Sequence, residues 1–270
     1  MAKLWALRAL WRMFRYLRNW REVWSAYRTA QRLPPLKFRR GFVLNHGPAD
    51  DPILLLHTVF ARSEYGALAG RFRYLVDIGA NIGSVTLDLA WRDPNLKVDA
   101  YEPNPLTFDT LSRNVRENGL DSRVSTYRDA VTSQDGEALL WSGDSSVLSS
   151  LSASAEIGGV SVSVPTISLD RAITRTGSQQ VAVKIDAEGA EVEMLESASD
   201  AALAAIGEIA LEYHDSIVPG ARARCEAVLT RAGFVCRSMA FSHDQGILIG
   251  RRYVGQATDG RPLGRSLIDR

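Results

Sequence analysis

From about residue 74 onward the chain alternates between short apolar runs and amphipathic stretches. Leu75 to Ile78 is apolar except for Asp77, and two glycines four apart, Gly79 and Gly83, lead into the segment Val85 to Ala90. That order reads as a buried strand, a tight turn and a helix start, the first unit of a doubly wound α/β sheet. The alternation continues in the βαβ manner. Strands are predicted over Lys97–Tyr101, Val124–Arg128, Val181–Ile185 and Ile206–Tyr213. Helices are predicted over Pro105–Asn118, closed by Gly119, over Gly189–Ser197 and over 220–232. Residues 136–141 and 160–166 alternate like short strands around an insertion, and Phe234–Arg237 with Gly246–Gly250 predict a closing antiparallel hairpin. The expected fold is therefore α/β, a Rossmann-like, mostly parallel sheet.

The stretch ahead of this region is patterned differently. Leu7, Leu10, Phe14 and Leu17 recur at helical spacing with Met13 and Trp20 beside them, while Arg8, Arg12 and Arg15 share another face. One basic amphipathic helix is expected over residues 1–33, stopped by Pro34-Pro35. A lead-in segment, 34–73, holds a short strand near Gly41 to Leu44 and a helix from Asp51 through Phe60, so the main domain runs from 34 to 251. Residues 252–270, rich in Gly and Arg, read as a loose tail. Seven of the thirteen residues from 142 to 154 are serine, which suits either a loop near a ligand or an inert surface connection.

Length and charge sharpen this picture. A chain of 270 residues holds one large α/β domain and a small appendage. The net charge of +1 hides an asymmetry: residues 1–32 carry eight Lys and Arg against one acid, Glu22. The remainder is mildly acidic and offers no nucleic-acid surface. Two cysteines, Cys225 and Cys236, fit reduced thiols and a cytoplasmic protein. No apolar run approaches the ~20 residues that cross a bilayer. The basic helix can lie on the inner face of an anionic membrane, pack on the main domain, or serve a homodimer; its pattern does not choose among these.

The chemistry is concentrated at strand ends. The dinucleotide fingerprint would need glycine where this chain has Asn81 and Ser84, which argues against a nicotinamide-dependent oxidoreductase. An acid two residues before the first glycine, with Asn inside the loop, resembles the S-adenosylmethionine loop of class I methyltransferases. Successive strands end at Asp77, Glu102, Asp129, Asp186, and Glu212 with His214. Ligands of such sheets bind at this carboxyl edge, and charge at buried strand ends is costly unless used. With an adenosine-sulfonium ligand, Glu102 suits the ribose hydroxyls and Asp129 the adenine amine. Asp77 suits orientation of the loop and attraction of a cation. Asp186 faces the middle of the crevice; Glu188 and Glu191 follow in the turn and first helical turn, where a helix dipole offers a purely structural alternative.

These strings resemble the FkbM-type methyltransferases over about residues 38–250. The resemblance rests on Val76-Asp77-Ile78-Gly79-Ala80-Asn81-Ile82-Gly83, Tyr101-Glu102-Pro103-Asn104-Pro105, Asp129-Ala130-Val131 and Lys184-Ile185-Asp186-Ala187-Glu188-Gly189-Ala190-Glu191. Glu64-Tyr65 and Ile209-Ala210-Leu211-Glu212 support it; Ala187 stands where the family more often has Val. The resemblance implies a class I fold and S-adenosylmethionine held by Asp77, Gly79, Asn81, Gly83, Glu102, Asp129 and Ala130. It also implies in-line methyl transfer to a hydroxyl of a sugar, glycolipid or glycan intermediate. Asp186 is the first candidate for the base and His214 the second, with Glu212 beside them; Glu188 and Glu191 hold substrate hydroxyls or brace the crevice. No metal is expected, although such a cluster can bind a divalent ion. Rival readings are methylation of a small polyketide-type alcohol and a non-catalytic partner subunit on the same fold.

Overall fold

The computed structural model describes residues 10–11, 13–47, 65, 68, 70–142, 149–150 and 160–252. The helix expected from Asp51 to Phe60, Glu64, most of the serine-rich stretch and residues 253–270 lie outside the described residues.

A seven-stranded sheet forms the centre, in the order β12-β13-β11-β10-β3-β4-β5. Its strands are β3 (Tyr74–Ile78), β4 (Lys97–Tyr101), β5 (Val124–Tyr127), β10 (Val181–Ile185), β11 (Ile206–His214), β12 (Val235–Ala240) and β13 (Gln245–Arg251). The pairs β5/β4, β4/β3, β3/β10 and β10/β11 are parallel. In the closing hairpin, β13 sits antiparallel between β11 and β12, so the hairpin inserts its second strand into the sheet. Alternation along each strand feeds two apolar layers. Leu75, Ala182 and Ala210 face one of them, whereas Val76, Ile78, Val183, Ile185, Ile209 and Leu211 face the other.

The region around the predicted insertion makes a second sheet, β6-β9-β7-β8. It comprises β6 (Ala130–Thr132), β7 (Gly136–Ser142), β8 (Ser149–Ser150) and β9 (Val160–Ser168). Two short helices, Leu169–Arg175 and Asp200–Ala205, were not legible as periodic segments. Each begins at a serine, Ser168 or Ser199, whose side chain accepts the N–H three residues on.

The single helix expected over residues 1–33 is not what forms. Helical residues at 13–16 end at Leu17, which makes an isolated antiparallel bridge with Phe38, and a new helix runs Trp20–Arg28. Asn19 supports the break by donating to the Pro35 carbonyl at 3.0 Å and accepting the Lys37 N–H at 3.0 Å. Met13, Leu17, Val23, Leu36, Phe38 and Phe42 are buried in one cluster with Leu75 of the main sheet and Leu87 of the helix Ser84–Arg92. The short strands Leu36–Lys37 (β1) and Val43–Leu44 (β2) pair beside it. Phe14, expected on the same apolar face as Leu17, is instead 53% exposed.

Candidate active site

The order β10-β3-β4 makes the end of β3 the topological switch point, where doubly wound sheets bind ligands. The loop there is shaped by close backbone packing. Gly79 has φ +69°, and a Cβ on it would lie 1.8 Å from the carbonyl oxygen of Asp186. The Asp186 N–H donates to the Ile78 carbonyl at 3.1 Å, so the glycine loop and the loop after β10 are laced together. The absent side chain at Gly79 thus makes room for the neighbouring loop. Gly83, at φ +91°, meets Leu111 and Leu87 instead. Asn81 also adopts a left-handed φ of 50°, and its side chain accepts the Ile82 N–H at 2.6 Å. Asn114, buried on the helix Pro105–Glu117, donates to the Ile82 carbonyl at 2.8 Å and holds the loop from behind.

Glu102, at the end of β4, is buried against this loop. One carboxylate oxygen accepts the Asn81 N–H and the other the Asn104 N–H, both at 2.9 Å. Burial pushes its carboxyl up to about 7 despite those two bonds and the positive Lys184 nearby. Each oxygen retains a further acceptor direction. Asp129, at the end of β5, is part-exposed and pairs with Arg175 at 3.2 Å. The Arg175 guanidinium also lies 4.4 Å from the centre of the Tyr127 ring, which stacks on Tyr101 at 4.9 Å.

Two residues expected to touch a cofactor have side chains enclosed by the protein. Asp77 is fully buried, accepts from the Thr86 hydroxyl at 2.5 Å and faces Lys184 Nζ at 3.4 Å. Its charge is balanced inside the protein, which removes the role of attracting a cationic ligand. Ala130 is buried with Leu140 and Val164 in the core of the smaller sheet, so only its backbone can serve a ligand.

The loop after β10 and the end of β11 gather the remaining groups. Asp186 is about a quarter exposed and stands 3.8 Å from Lys184 Nζ. Glu188 sits in a left-handed turn, φ 48°, with an oxygen 3.5 Å from His214 Nε2. Burial, and then the charge of Asp186, push the Glu188 carboxyl up to about 7. Glu212 accepts from Tyr65 Oη at 3.3 Å and from Gln245 Nε2 at 2.7 Å.

His214 is buried with Nδ1 3.3 Å from Glu191. Burial alone would lower the imidazolium, but the Glu191 hydrogen bond and the charges of Glu188, Glu191 and Asp186 outweigh it and push it up to about 9. Both ring nitrogens face carboxylates, Nδ1 that of Glu191 and Nε2 that of Glu188, so the ring is placed to hold those acids as an imidazolium rather than to serve as the base. For Glu191 the bracing alternative holds. It is fully buried and accepts the N–H groups of Ala187 and Gly189 at 3.0–3.1 Å, bracing the turn rather than meeting a substrate. Asp186, Glu212 and His214 each bring one potential ligand atom within 4.8 Å of the others, and a cation spanning them would have to displace the proton that His214 carries.

Sequence reasoning passed over Lys184. Its ammonium is buried beneath the site and donates to the carbonyls of Ile78 at 3.1 Å and Gly79 at 2.5 Å. Burial alone would lower it; the charges of Asp77 and Asp186 raise it, so it stays cationic. A lysine inside the otherwise apolar run Val181–Ile185 was the signal. Tyr65 and Gln245 were unassigned as well, and nothing local marks them as partners of Glu212.

The model of one protein family, the methyltransferase FkbM domain, matches residues 77–236. Among curated proteins, the methyltransferase sdnD of Sordaria araneosa is 38% identical over 63 residues, covering 23% of this chain and 24% of that protein. The match thus spans about a quarter of that relative's length. Among solved structures, the methyltransferase FkbM from Methylobacillus flagellatus KT is similar at 15% identity, covering 73% of this chain and 53% of that one with a TM-score of 0.47. A methyltransferase from Pyrococcus furiosus is similar at 14% identity, covering 78% and 89% with a TM-score of 0.43.

Proposed function

Because the chain belongs to the FkbM methyltransferase family, we propose that it transfers a methyl group from S-adenosylmethionine to a hydroxyl of a sugar or glycolipid. S-adenosylmethionine is the family's methyl donor and supplies, when bound, a methyl activated on a cationic sulfur. The residues present fit it on two counts. Glu102 has an acceptor direction left on each oxygen for the paired ribose hydroxyls, and Asp129 stands at the next strand end for the adenine amine. With Asp77 paired to Lys184 and Glu191 to His214, the carboxylates left facing the crevice are Asp186, Glu188 and Glu212, an excess of negative charge that favours a sulfonium.

What supports the hydroxyl reading is the pair of part-exposed carboxylates, Asp186 and Glu188, in the loop after β10, with Glu188 held 3.5 Å from His214 and its carboxyl pushed up by burial. An alcohol proton must leave as the oxygen attacks, and a base with pKa near the working pH is best matched to take it. Glu188 accepts that proton in place of Asp186, the base expected from the sequence: Asp186 stands beside the Lys184 ammonium at 3.8 Å, and its charge keeps Glu188 basic. The imidazolium of His214, held by Glu191, fixes where the Glu188 carboxylate points. Since the donor is already activated, alignment of the acceptor oxygen is the larger task and proton removal the smaller. The part-exposed carboxylates of Asp186 and Glu188 suit an acceptor with neighbouring hydroxyls, each able to donate to them.

The test is incubation with S-adenosylmethionine labelled in the methyl group and a panel of sugars, glycolipids and small polyketide-type alcohols, with products located by mass spectrometry. Label on the oxygen of a sugar-bearing acceptor is expected. Label on nitrogen or carbon, or on the polyketide-type alcohols alone, overturns the proposal.

A further inference from the structure

We propose that the amino-terminal segment forms a membrane-docking patch for anionic lipid, made of exposed aromatic rings interleaved with arginines. The break at Leu17 creates it. With Met13, Leu17, Val23 and Ala26 turned into the core, the opposite side of the segment carries Trp11 at 58% exposure and Phe14 at 53%. Trp11 and Phe14 are three residues apart in a helical stretch and so share a face. Phe14 meets Trp20 edge-on across the break at 5.6 Å between ring centres. Arg39 lies 5.4 Å from the Phe14 ring and Arg21 lies 5.0 Å from the Trp20 ring. Arg39 also donates to the Phe14 carbonyl at 3.0 Å, so the loop after β1 belongs to the patch as much as the helices do. Arg15 and Arg18 are exposed beside them.

The partner is read from charge and from the rings together. Residues 1–49 carry eleven Lys and Arg against Glu22 alone. A second copy would bring the same positive stripe and be repelled by it. A nucleic acid would satisfy the arginines but gain little from two large rings projecting from a helix. The boundary between headgroups and acyl chains takes both: indole and phenyl rings enter it while arginines meet anionic headgroups. Covering the rings also removes apolar surface that the protein leaves in water. The preference for a lipid-bearing acceptor fits such a location, but the patch stands on its own geometry and does not depend on the reaction.

The test is co-sedimentation of the full chain with vesicles of phosphatidylglycerol and phosphatidylcholine in equal parts, against vesicles of phosphatidylcholine alone. Binding to the anionic vesicles, weakened in high salt, is expected. The double variant W11S/F14S should bind at least tenfold more weakly, and R15E/R21E likewise. These side chains lie at the surface, so thermal unfolding and affinity for S-adenosylhomocysteine should match the parent, separating lost docking from lost folding. Equal binding to both vesicle types overturns the anionic-lipid assignment. So does vesicle binding unchanged in W11S/F14S, or a patch whose variants abolish self-association or nucleic-acid binding but leave vesicle binding intact.

Discussion

Replacing Lys184 by Met probes the interaction that joins the two halves of the site. Lys184 and Asp77 are register partners on the adjacent strands β10 and β3, and both are buried. The ammonium meets the Asp77 carboxylate at 3.4 Å and two loop carbonyls, those of Ile78 and Gly79, at 3.1 and 2.5 Å. Met fills similar volume without charge, so the variant leaves the buried Asp77 carboxyl without its cation and with the Thr86 hydroxyl as its remaining bond. Breaking one side of a buried pair costs about 3–5 kcal/mol. At roughly 2–4 °C per kcal/mol for a domain of this size, the midpoint of thermal unfolding should fall by about 10 °C. Adding Asp77→Asn removes the stranded charge while keeping an acceptor for Thr86, so D77N/K184M should recover about half of the loss. Circular dichroism with urea and thermal unfolding of K184M, D77N, D77N/K184M and the parent closes the cycle. A loss below about 1 kcal/mol in K184M, or a double variant no better than the single one, would refute the pairing as the support of the loop.

Two further expectations concern protonation. At saturating S-adenosylmethionine, which removes the contribution of Glu102 to donor binding, activity should rise with pH as Glu188, pushed up to about 7, gives up its proton, and then level off. In E188Q, kcat should fall by about 10²–10⁴-fold and that rise should vanish, with affinity for S-adenosylhomocysteine retained; a rise that persists in the variant removes Glu188 as the base. For His214 the folded value of about 9 lies above the ordinary 6.5, so its stabilising contribution is complete below about 6.5 and lost as pH climbs through about 9. The unfolding free energy of the parent should decline across that window relative to H214Q, and parallel profiles would contradict the Glu191–His214 assignment.

Much of the sheet was legible because its central strands are short apolar runs followed by an acid and turn residues. That is why β3, β4, β5, β10 and β11 emerged within a residue or two of their observed limits. The hairpin was legible as two strands, but not the insertion of β13 beside β11, since pairing order is not a local property. Leu17 shows a second limit. Helical periodicity runs through it without interruption, and contacts distant in the chain, its bridge to Phe38 and those of Asn19 with Pro35 and Lys37, end the helix there. At the site, acids at strand ends could be listed from the sequence, but their burial could not. Asp77 and Glu191 are fully enclosed, whereas Asp186 and Glu188 are partly open, because burial depends on strands distant in the chain. The same non-locality hid Lys184, which became intelligible only when the register set it opposite Asp77.

Calorimetric titration with S-adenosylhomocysteine, on the parent and on E102A, bears most directly on the donor site. Glu102 is held by the Asn81 and Asn104 amides with an acceptor direction open on each oxygen. Hydrogen bonds to a charged group contribute about 1.5–3 kcal/mol each, so the variant should bind at least tenfold more weakly than a micromolar parent. Equal affinity of the two proteins would contradict the assignment of Glu102 to the donor, and a folded parent that binds none would contradict the methyltransferase reading itself.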